Sequence, residues 1–373
     1  MSHHLLVAAA LAAGGRHPGS APLAAPGSLR TWRGLIGGAE TAGIDLVTLD
    51  DSFLLRGGAH LDALLIASAI APATTRIGLV PAVMTAHTEP FHVATGLQTL
   101  DHVSRGRAGW LVSTGDARAE APLFGRRDAL ALTDADLLDE LEDAVVLSRL
   151  LWDSWEDDAV IRDVATGRYL DRDRIHPARF HGRFFSVEGA SIVPRSPQGQ
   201  LPVAIEVRTP AELEAAARHA DVVFVSAQDV AGALSILREI RDTERRVARV
   251  GEPLRVFTDL AVLLEDTAGA ATSALERLDE HAGAPLSAEI RVVAATADAV
   301  AQAIGSLHDL GYDGVRLHPA RLPDDLGRIE RDLLPLLAAA GHHQPADAPT
   351  SLRSRLRLPR SENRFSDSRG VLA

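Results

Sequence analysis

Polar side chains that can carry out chemistry stand directly after apolar runs in this sequence. The run AGWLVST, residues 108–114, ends in Ser113 and Thr114, and Gly115 and Asp116 follow it directly. Hydroxyl groups and a carboxylate at such a point can hold a ligand or move a proton. They are equally typical of a turn, since serine, glycine and aspartate favour turns. This stretch alone leaves both interpretations open.

The same arrangement recurs after other apolar runs. Asp50 and Asp51 can act as acid–base groups, or they can simply cap a helix. Arg208 and Thr209 precede Pro210 at a predicted helix start, where free N–H groups can receive a phosphate, as they can at any helix start. Further candidates at the ends of runs are Gly14 to His17, Met84 to His87, Gln228, Asp229, His318 and Arg321. His87, just before Thr88-Glu89-Pro90, is also typical of a residue that caps the next helix.

Two missing residue types exclude several kinds of chemistry. The 373 residues include no cysteine, which excludes thiolate nucleophiles, iron–sulfur clusters and cysteine-ligated zinc. They also include no lysine, so a Schiff-base mechanism and a G-K-[ST] phosphate loop both lack their essential residue. A catalytic metal is not expected either, because His3 and His4 are adjacent and would point to opposite faces of a strand.

Charge and hydropathy narrow the partners and the compartment. The net charge is −12 and no basic run with aromatic residues occurs, so neither nucleic acid nor an anionic membrane surface is expected. No apolar run is long enough for a membrane span. The start MSHHLLVAAALAAGG imitates a signal peptide but has no Arg or Lys in its flank. We therefore expect a first buried strand there and a cytoplasmic protein.

Short apolar runs alternate with stretches of helical period along the chain. The predicted strands are 5–11, 45–50, 76–83, 108–114, 202–207, 222–227, 255–264 and 314–320. The predicted helices are 28–43, 89–104, 135–155, 209–220 and 297–311, with Thr209 as an N-cap and Gly311 as a C-cap. Eight buried strands alternating with helices predict an α/β fold, a (β/α)8 TIM barrel. An open doubly wound sheet is the alternative, although no G-x-G-x-x-G follows the first strand.

Two segments interrupt this alternation. Residues 153–200 form a predicted insertion after the fourth helix, with a possible hairpin in HGRFFSVEGA, residues 181–190. The polar, arginine-rich residues 342–373 are predicted to be an arm that is disordered or lies at an oligomer interface, and the pair His342-His343 looks incidental. The barrel itself would then be one domain, residues 1–341.

Three stretches carry a family resemblance. EPFHVATGLQTLDHVSRGRAGW, residues 89–110, resembles a stretch of the bacterial luciferase-like flavin monooxygenases. The block from LLWDSWEDDA to PRSPQG, residues 150–199, is similar to the subgroup that acts on aminopolycarboxylates, sulfones and long alkanes. LRSRLRLPRSENRF, residues 352–365, resembles the C-terminal end of that subgroup.

The resemblance implies an activity and its partners. It implies reduced FMN delivered by a separate flavin reductase, activation of O2, and insertion of one oxygen atom into a small organic substrate. A homodimer is also implied, and a deazaflavin cofactor is an alternative because related barrels bind one. The substrate itself is not readable, since loops decide it.

Residue by residue, the resemblance implies a site at the carboxyl ends of the strands. The implied flavin contacts are Asp51, Thr85, Thr114, Asp134, Arg208 and Thr209, with Thr209 at the flavin phosphate. The implied substrate pocket includes His17, His87 and Leu111, and no catalytic residue is assigned. 

Several of these positions depart from the family pattern. Leu111 replaces an asparagine, Gly115 a serine, Asp134 a histidine, and Thr95 an arginine; Leu137 and Leu138 replace Arg-Tyr, and Val207 and Glu212 replace glycines of the phosphate loop. Because the changes cluster at the cofactor, a second hypothesis is a relative that has lost flavin binding and acts as a binding or partner subunit.

Overall fold

Eight parallel strands form a closed barrel in the computed structural model, which describes residues 4–54, 60–125, 128, 131–286 and 289–366. Numbered along the chain, the barrel strands are β1 (Leu6–Leu11), β2 (Leu46–Leu49), β3 (Gly78–Met84), β4 (Trp110–Ser113), β9 (Val203–Glu206), β10 (Val222–Val225), β11 (Arg255–Leu264) and β13 (Gly314–Pro319). The β1–β13 and β10–β11 pairings close the ring. All eight predicted strands and the TIM-barrel fold are confirmed, and the ring closure excludes the open sheet.

Helices cover the outside of the barrel. They are α1 (Leu29–Ala42), α2 (Ala63–Ile70), α3 (Pro90–Ser104), α4 (Ala117–Phe124), α5 (Asp134–Asp153), α6 (Pro210–His219), α7 (Val230–Arg246), α8 (Ala268–Ala282), α9 (Ala297–Leu310), α10 (Asp324–Arg328), α11 (Leu334–Ala339) and α12 (Leu352–Arg355). The side chain of Thr209 caps α6, and Gly311 ends α9 with a φ of 94°, as predicted. In the part of the chain that the structure describes, no helix is both long and apolar enough to cross a membrane.

Alternate residues of each strand face the barrel interior and the helices. Ala8, Ala82, Leu111 and Ala204 face inward, together with larger side chains such as Phe224. Their neighbours along the strands, including Val7, Val47, Leu79 and Val223, pack outward on the helices. Burial on both faces explains why these strands read as nearly continuous apolar runs.

The C-terminal segment plugs the amino end of the barrel. Leu352, Leu356 and Leu358 are buried within the inner cluster, and Leu352 sits between Gly78 and Gly109. These three leucines are an integral part of the barrel base, so this part of the predicted arm is ordered; the alternative of an oligomer interface for residues 342–373 stays a prediction, and residues 367–373 lie outside the described chain.

Polar contacts hold this plug in place. The backbone N–H of Arg353 donates to the side chain of Gln198 at 2.8 Å, and its guanidinium donates to the carbonyl of Gln200 at 3.1 Å. His343 is not incidental, since it is buried with its Nδ1 3.6 Å from Asp45 and its Nε2 3.0 Å from the carbonyl oxygen of Gly43.

The insertion contains two short hairpins. One pairs β5 (Val160–Asp163) with β6 (Arg168–Leu170), and the other pairs β7 (Phe180–His181) with β8 (Ser186–Val187), as predicted for residues 181–190. Arg195 joins the insertion to the C-terminal segment, because its guanidinium contacts the carboxylate of Asp153 at 3.1 Å and the carbonyl of Ser361 at 2.9 Å.

The sheet that forms the barrel has a ninth strand, β12 (Arg291–Ala295), which the sequence analysis does not predict. It pairs with Leu260–Leu264, the second half of β11, outside the ring. Its short sequence RVVAA, half-buried throughout, carries too weak a pattern to be recognised from sequence.

Candidate active site

Charged side chains meet inside the carboxyl-terminal half of the barrel. They are Asp50 after β2, Glu206 at the end of β9, Asp259 on β11, and Arg316 and His318 on β13; we call these five residues the mouth cluster. Parallel register brings them together, since Asp259 lies directly opposite Arg316. Sites in barrels of this architecture lie at this end, which makes the mouth cluster a candidate for function.

Arg316 is the centre of the mouth cluster. Its Nε and Nη2 donate to the two carboxylate oxygens of Asp259 at 2.6 and 2.7 Å, and Nη2 also donates to Glu206 at 2.7 Å. The guanidinium lies 3.9 Å from the ring centre of Phe224, a cation–π contact. Its Nη1 is buried and has no hydrogen-bond partner among the described residues. His318 contacts Asp259 through Nε2 at 3.1 Å.

Opposite charges outweigh burial at Asp259. Burial alone would raise the pKa of this carboxyl, but the charge of Arg316, then that of His318, holds the pKa well below its usual range. The pKa of Arg316 is raised in turn, because Asp259 and Glu206 offset the effect of its burial. The pair therefore stays ionised inside the barrel.

Asp50 differs from its neighbours in the mouth cluster. It is open to solvent, and no hydrogen bond to its carboxylate is found within the described residues. Desolvation by the barrel walls, and then the nearby charge of Glu206, raises the pKa of this carboxyl. A carboxyl with a raised pKa at a barrel mouth is suited to exchange protons with a ligand.

We expect Asp50→Asn to raise the melting temperature at pH 8 but not at pH 4. A carboxyl whose pKa is raised on folding destabilises the folded state once it is ionised. The gain should therefore be present above the raised pKa and should fade as the pH falls to the ordinary value of 3.8. Thermal melts of both proteins across this range test it, with Asp347→Asn at the exposed surface as control. A gain that does not change with pH would contradict the prediction.

A second polar region adjoins the mouth cluster between β4, α5 and α6. A cavity of about 30 Å³ is lined there by Ser113, Thr114, Leu138, Glu206, Arg208 and Glu212, among others. This volume has room for about one water molecule. The structure thus brings together Thr114 and Arg208, two of the predicted flavin contacts.

The N-terminus of α6 is filled by the chain's own carboxylate. Glu212 Oε2 accepts hydrogen bonds from the backbone N–H groups of Arg208 at 2.7 Å and Thr209 at 2.9 Å. The Thr209 hydroxyl in turn accepts from the N–H of Glu212 at 3.2 Å, which completes a capping box. The Arg208 guanidinium donates to Glu212 Oε1 at 3.1 Å, although the Arg208 side chain is 62% exposed.

Other predicted flavin contacts have partners within the protein. Asp51 accepts from the N–H groups of Ser52 and Ala63, both at 2.8 Å, and so organises the start of α2; burial raises the pKa of its carboxyl. Thr85 is buried beside the carbonyl of Ser113. Asp134 lies in an exposed ion pair with Arg118 at 2.8 Å.

The predicted substrate-pocket residues are dispersed. His17 is buried in a structural contact, since its Nε2 lies 3.0 Å from Asp279 and its Nδ1 accepts from the N–H of Gly19. His87 contacts the carbonyl of Ala117 through Nε2 at 2.8 Å and stacks on Phe124, while its buried Nδ1 has no hydrogen-bond partner among the described residues. Leu111 lies in the barrel interior.

One departure from the family pattern has a local cause. Gly115 has a φ of 63°, and a Cβ there would lie 2.6 Å from Glu120 Oε2. Glu120 is fully buried and accepts from the N–H of Phe53 in the loop after β2. A serine at this position would therefore collide with a buried carboxylate unless the loop moved.

Sequence reasoning missed the central pair, Asp259 and Arg316. A signal for them was present, because each interrupts an otherwise apolar strand at an inward position. Charged residues are almost never fully buried unless paired, so two such interruptions indicate a pair. The contact of Arg316 with Glu206 could not be predicted from the sequence, because it depends on strand register and on closure of the barrel.

Comparisons with known proteins agree with this architecture. The family model described as luciferase-like monooxygenase matches residues 7–344. N-acetyl-S-(2-succino)cysteine monooxygenase of Bacillus subtilis (strain 168) is 33% identical over 273 residues, 71% of this chain and 61% of that protein. Nitrilotriacetate monooxygenase component A of Aminobacter aminovorans is 34% identical over 218 residues, 58% of this chain and 47% of that protein. The matched part of the chain thus spans about half to three-fifths of the length of these relatives.

A solved structure gives the same result for the fold. EDTA monooxygenase from Chelativorans superposes with a TM-score of 0.85 at 19% identity, covering 96% of this chain and 99% of that one. The closed parallel barrel defines an α/β-barrel protein, and the polar carboxyl end of its strands is the candidate site. The chain belongs to the luciferase-like monooxygenase family.

The family implies a reduced flavin, and one part of its site does not fit FMN. The resemblance assigns the N-terminus of α6 to the flavin phosphate, but the Glu212 carboxylate already accepts the N–H groups of Arg208 and Thr209 there. The Thr209 hydroxyl is also in use, as the acceptor of the Glu212 N–H. A phosphate would have to displace a like charge, so we assign no chemistry through this group.

Proposed function

We propose that this chain is the oxygenase component of a two-component flavin-dependent monooxygenase. A separate reductase would supply the reduced flavin, O2 would be the oxidant, one oxygen atom would enter a small organic substrate, and the other would leave as water. The observation that carries this proposal is the family match over residues 7–344 on a closed barrel with an open, polar mouth. Reduced FMN is the cofactor that the resemblance implies, with a deazaflavin as the alternative.

The chain's own residues suit part of this role. Thr114 lines the cavity beside the mouth cluster, where its hydroxyl can contact a ligand. Asp50 faces the open end of the barrel without a hydrogen-bond partner among the described residues and can exchange a proton there. Burial of the apolar barrel beneath the mouth keeps water from that side of the site.

A homodimer and a cytoplasmic location complete this proposal. Leu65 on α2 and Val103 on α3 are exposed aliphatic side chains on adjacent outer helices, which a second copy would cover. The flavin reductase would be a transient partner.

A second candidate is a partner subunit that does not hold flavin. Two observations favour it: Arg316 is held in ion pairs with Asp259 and Glu206, and Glu212 already accepts the backbone N–H groups of Arg208 and Thr209 at the N-terminus of α6. The two candidates differ in one measurable property, the binding of reduced flavin.

The test is an anaerobic titration of the protein with photoreduced flavins, followed by tryptophan fluorescence. The enzyme proposal predicts saturable binding of at least one reduced flavin with a dissociation constant in the micromolar range. Thr114→Val should weaken that binding by about two- to tenfold, the value of one hydrogen bond. Thr99→Val, on the exposed side of α3, is the matched control and should change nothing. Absence of binding up to millimolar flavin would favour the partner subunit.

A further inference from the structure

The N-terminus of α6 is the structural feature that bears on the choice of flavin. Free N–H groups at a helix start normally attract an anion, and a phosphate is a frequent one. Here the N–H groups of Arg208, Thr209 and Glu212 all have partners inside the capping box. The anion at this helix start is therefore the Glu212 carboxylate itself.

The charges around the adjoining cavity also disfavour a phosphate. Two carboxylates, Glu206 and Glu212, line it together with one guanidinium, that of Arg208. Arg208 is paired with Glu212, and Glu206 is paired with Arg316. A phosphate placed here would add about two negative charges beside carboxylates that already hold the nearby cations.

An uncharged hydroxyl group would meet a different environment. It can donate to a carboxylate oxygen of Glu212 or Glu206 and accept from the Thr114 hydroxyl, all of which line the same cavity. The cavity has room for about one water molecule, which a hydroxyl group can replace. The lining thus suits a polar, neutral chain end.

We propose that this protein discriminates against phosphorylated flavin and takes a flavin whose side chain ends in a hydroxyl group, riboflavin being the probe of that class. This inference rests on the proposed function, because it names which reduced flavin the barrel mouth holds. Glu212 is the residue that sets the preference.

Matched titrations with reduced riboflavin and reduced FMN test the proposal. The wild-type protein should bind riboflavin about fivefold or more tightly than FMN, the effect of one close like charge in water. Glu212→Gln keeps an oxygen that can accept from Thr209 but removes the charge. It should tighten FMN binding by about fivefold. Riboflavin binding should change by no more than about twofold, because its hydroxyl can still donate to Glu206 and accept from Thr114.

The control variant is Glu214→Gln, two residues along the same helix. Its carboxylate pairs with Arg246 outside the cavity, so both affinities should stay unchanged. Salt gives a test without mutation: wild-type affinity for FMN should rise with ionic strength as the repulsion is screened, while affinity for riboflavin should not.

The outcomes separate this inference from the proposed function. Wild-type preference for FMN, or an unchanged ratio in Glu212→Gln, overturns the inference and leaves the flavin-dependent enzyme intact. Failure of wild type and Glu212→Gln to bind either flavin overturns both. Preference for riboflavin that Glu212→Gln abolishes supports both.

Discussion

Replacing Arg316 by methionine is expected to destabilise the folded protein by about 3–5 kcal/mol at pH 7, the range for removing one partner of a buried ion pair. Arg316 is 1% exposed and binds both oxygens of Asp259. Without it, Asp259 would be a buried charge whose remaining side-chain contact among the described residues is His318. Urea denaturation of wild type and variant at pH 7 measures the difference.

The pH dependence distinguishes this mechanism from a simple packing defect. In wild type, the pKa of Asp259 is lower in the folded than in the unfolded protein. Asp259 therefore stabilises the folded state at pH values above the unfolded pKa of 3.8, and this stabilisation is lost as the pH falls towards the folded pKa. In Arg316→Met, burial raises the pKa of Asp259, so protonation near pH 4 should reduce the deficit. Arg245→Met, which removes a cation from an exposed pair with Asp242, should change stability by less than about 1 kcal/mol. A deficit in Arg316→Met that is constant with pH would refute the explanation.

Leu352→Ala is expected to reduce the free energy of unfolding by about 3–5 kcal/mol, as for other leucines in rigid cores. Leu352 is 2% exposed, and its two methyl groups fill the space above the backbones of Gly78 and Gly109. Those glycines belong to the barrel wall, which cannot close over the missing methyl groups. The loss therefore includes both the transfer of apolar surface and a cavity.

Ile192→Ala is the matched control for Leu352→Ala. Ile192 is also a large aliphatic residue, but it is 71% exposed in the insertion. Its truncation should change stability by less than about 0.5 kcal/mol. If Leu352→Ala costs no more than this control, the C-terminal segment does not support the barrel.

The barrel could be predicted because its physics is local and repeated. Burial on both faces makes runs such as residues 222–225 apolar at every position, and the helices between such runs show caps such as Thr209 and Gly311. The plug formed by Leu352 and Leu356 was not predictable in this way. Its leucines stand among arginines, and only the barrel's open amino end decides that they are buried.

The site was predicted less well, because it depends on which side chains meet across the ring. Arg208, Thr209 and Glu212 are neighbours in sequence, and their proximity was expected. The pairing of Glu212 with the N–H groups of Arg208 and Thr209, just before α6, depends on one side-chain conformation, which a sequence does not show. The contact of Glu206 with Arg316, 110 residues apart in the chain, follows only from barrel closure.

The plug also sets the order in which the protein can be completed during synthesis. The interior of the barrel base includes Leu352, Leu356 and Leu358, which follow the last barrel strand, β13, along the chain. Domains begin to fold from the N-terminal side as the ribosome releases them. The strands through β13 can pair earlier, but the base stays open until these leucines emerge. A message truncated before residue 352 would therefore yield a barrel with an exposed apolar interior, a natural substrate for chaperones and proteases.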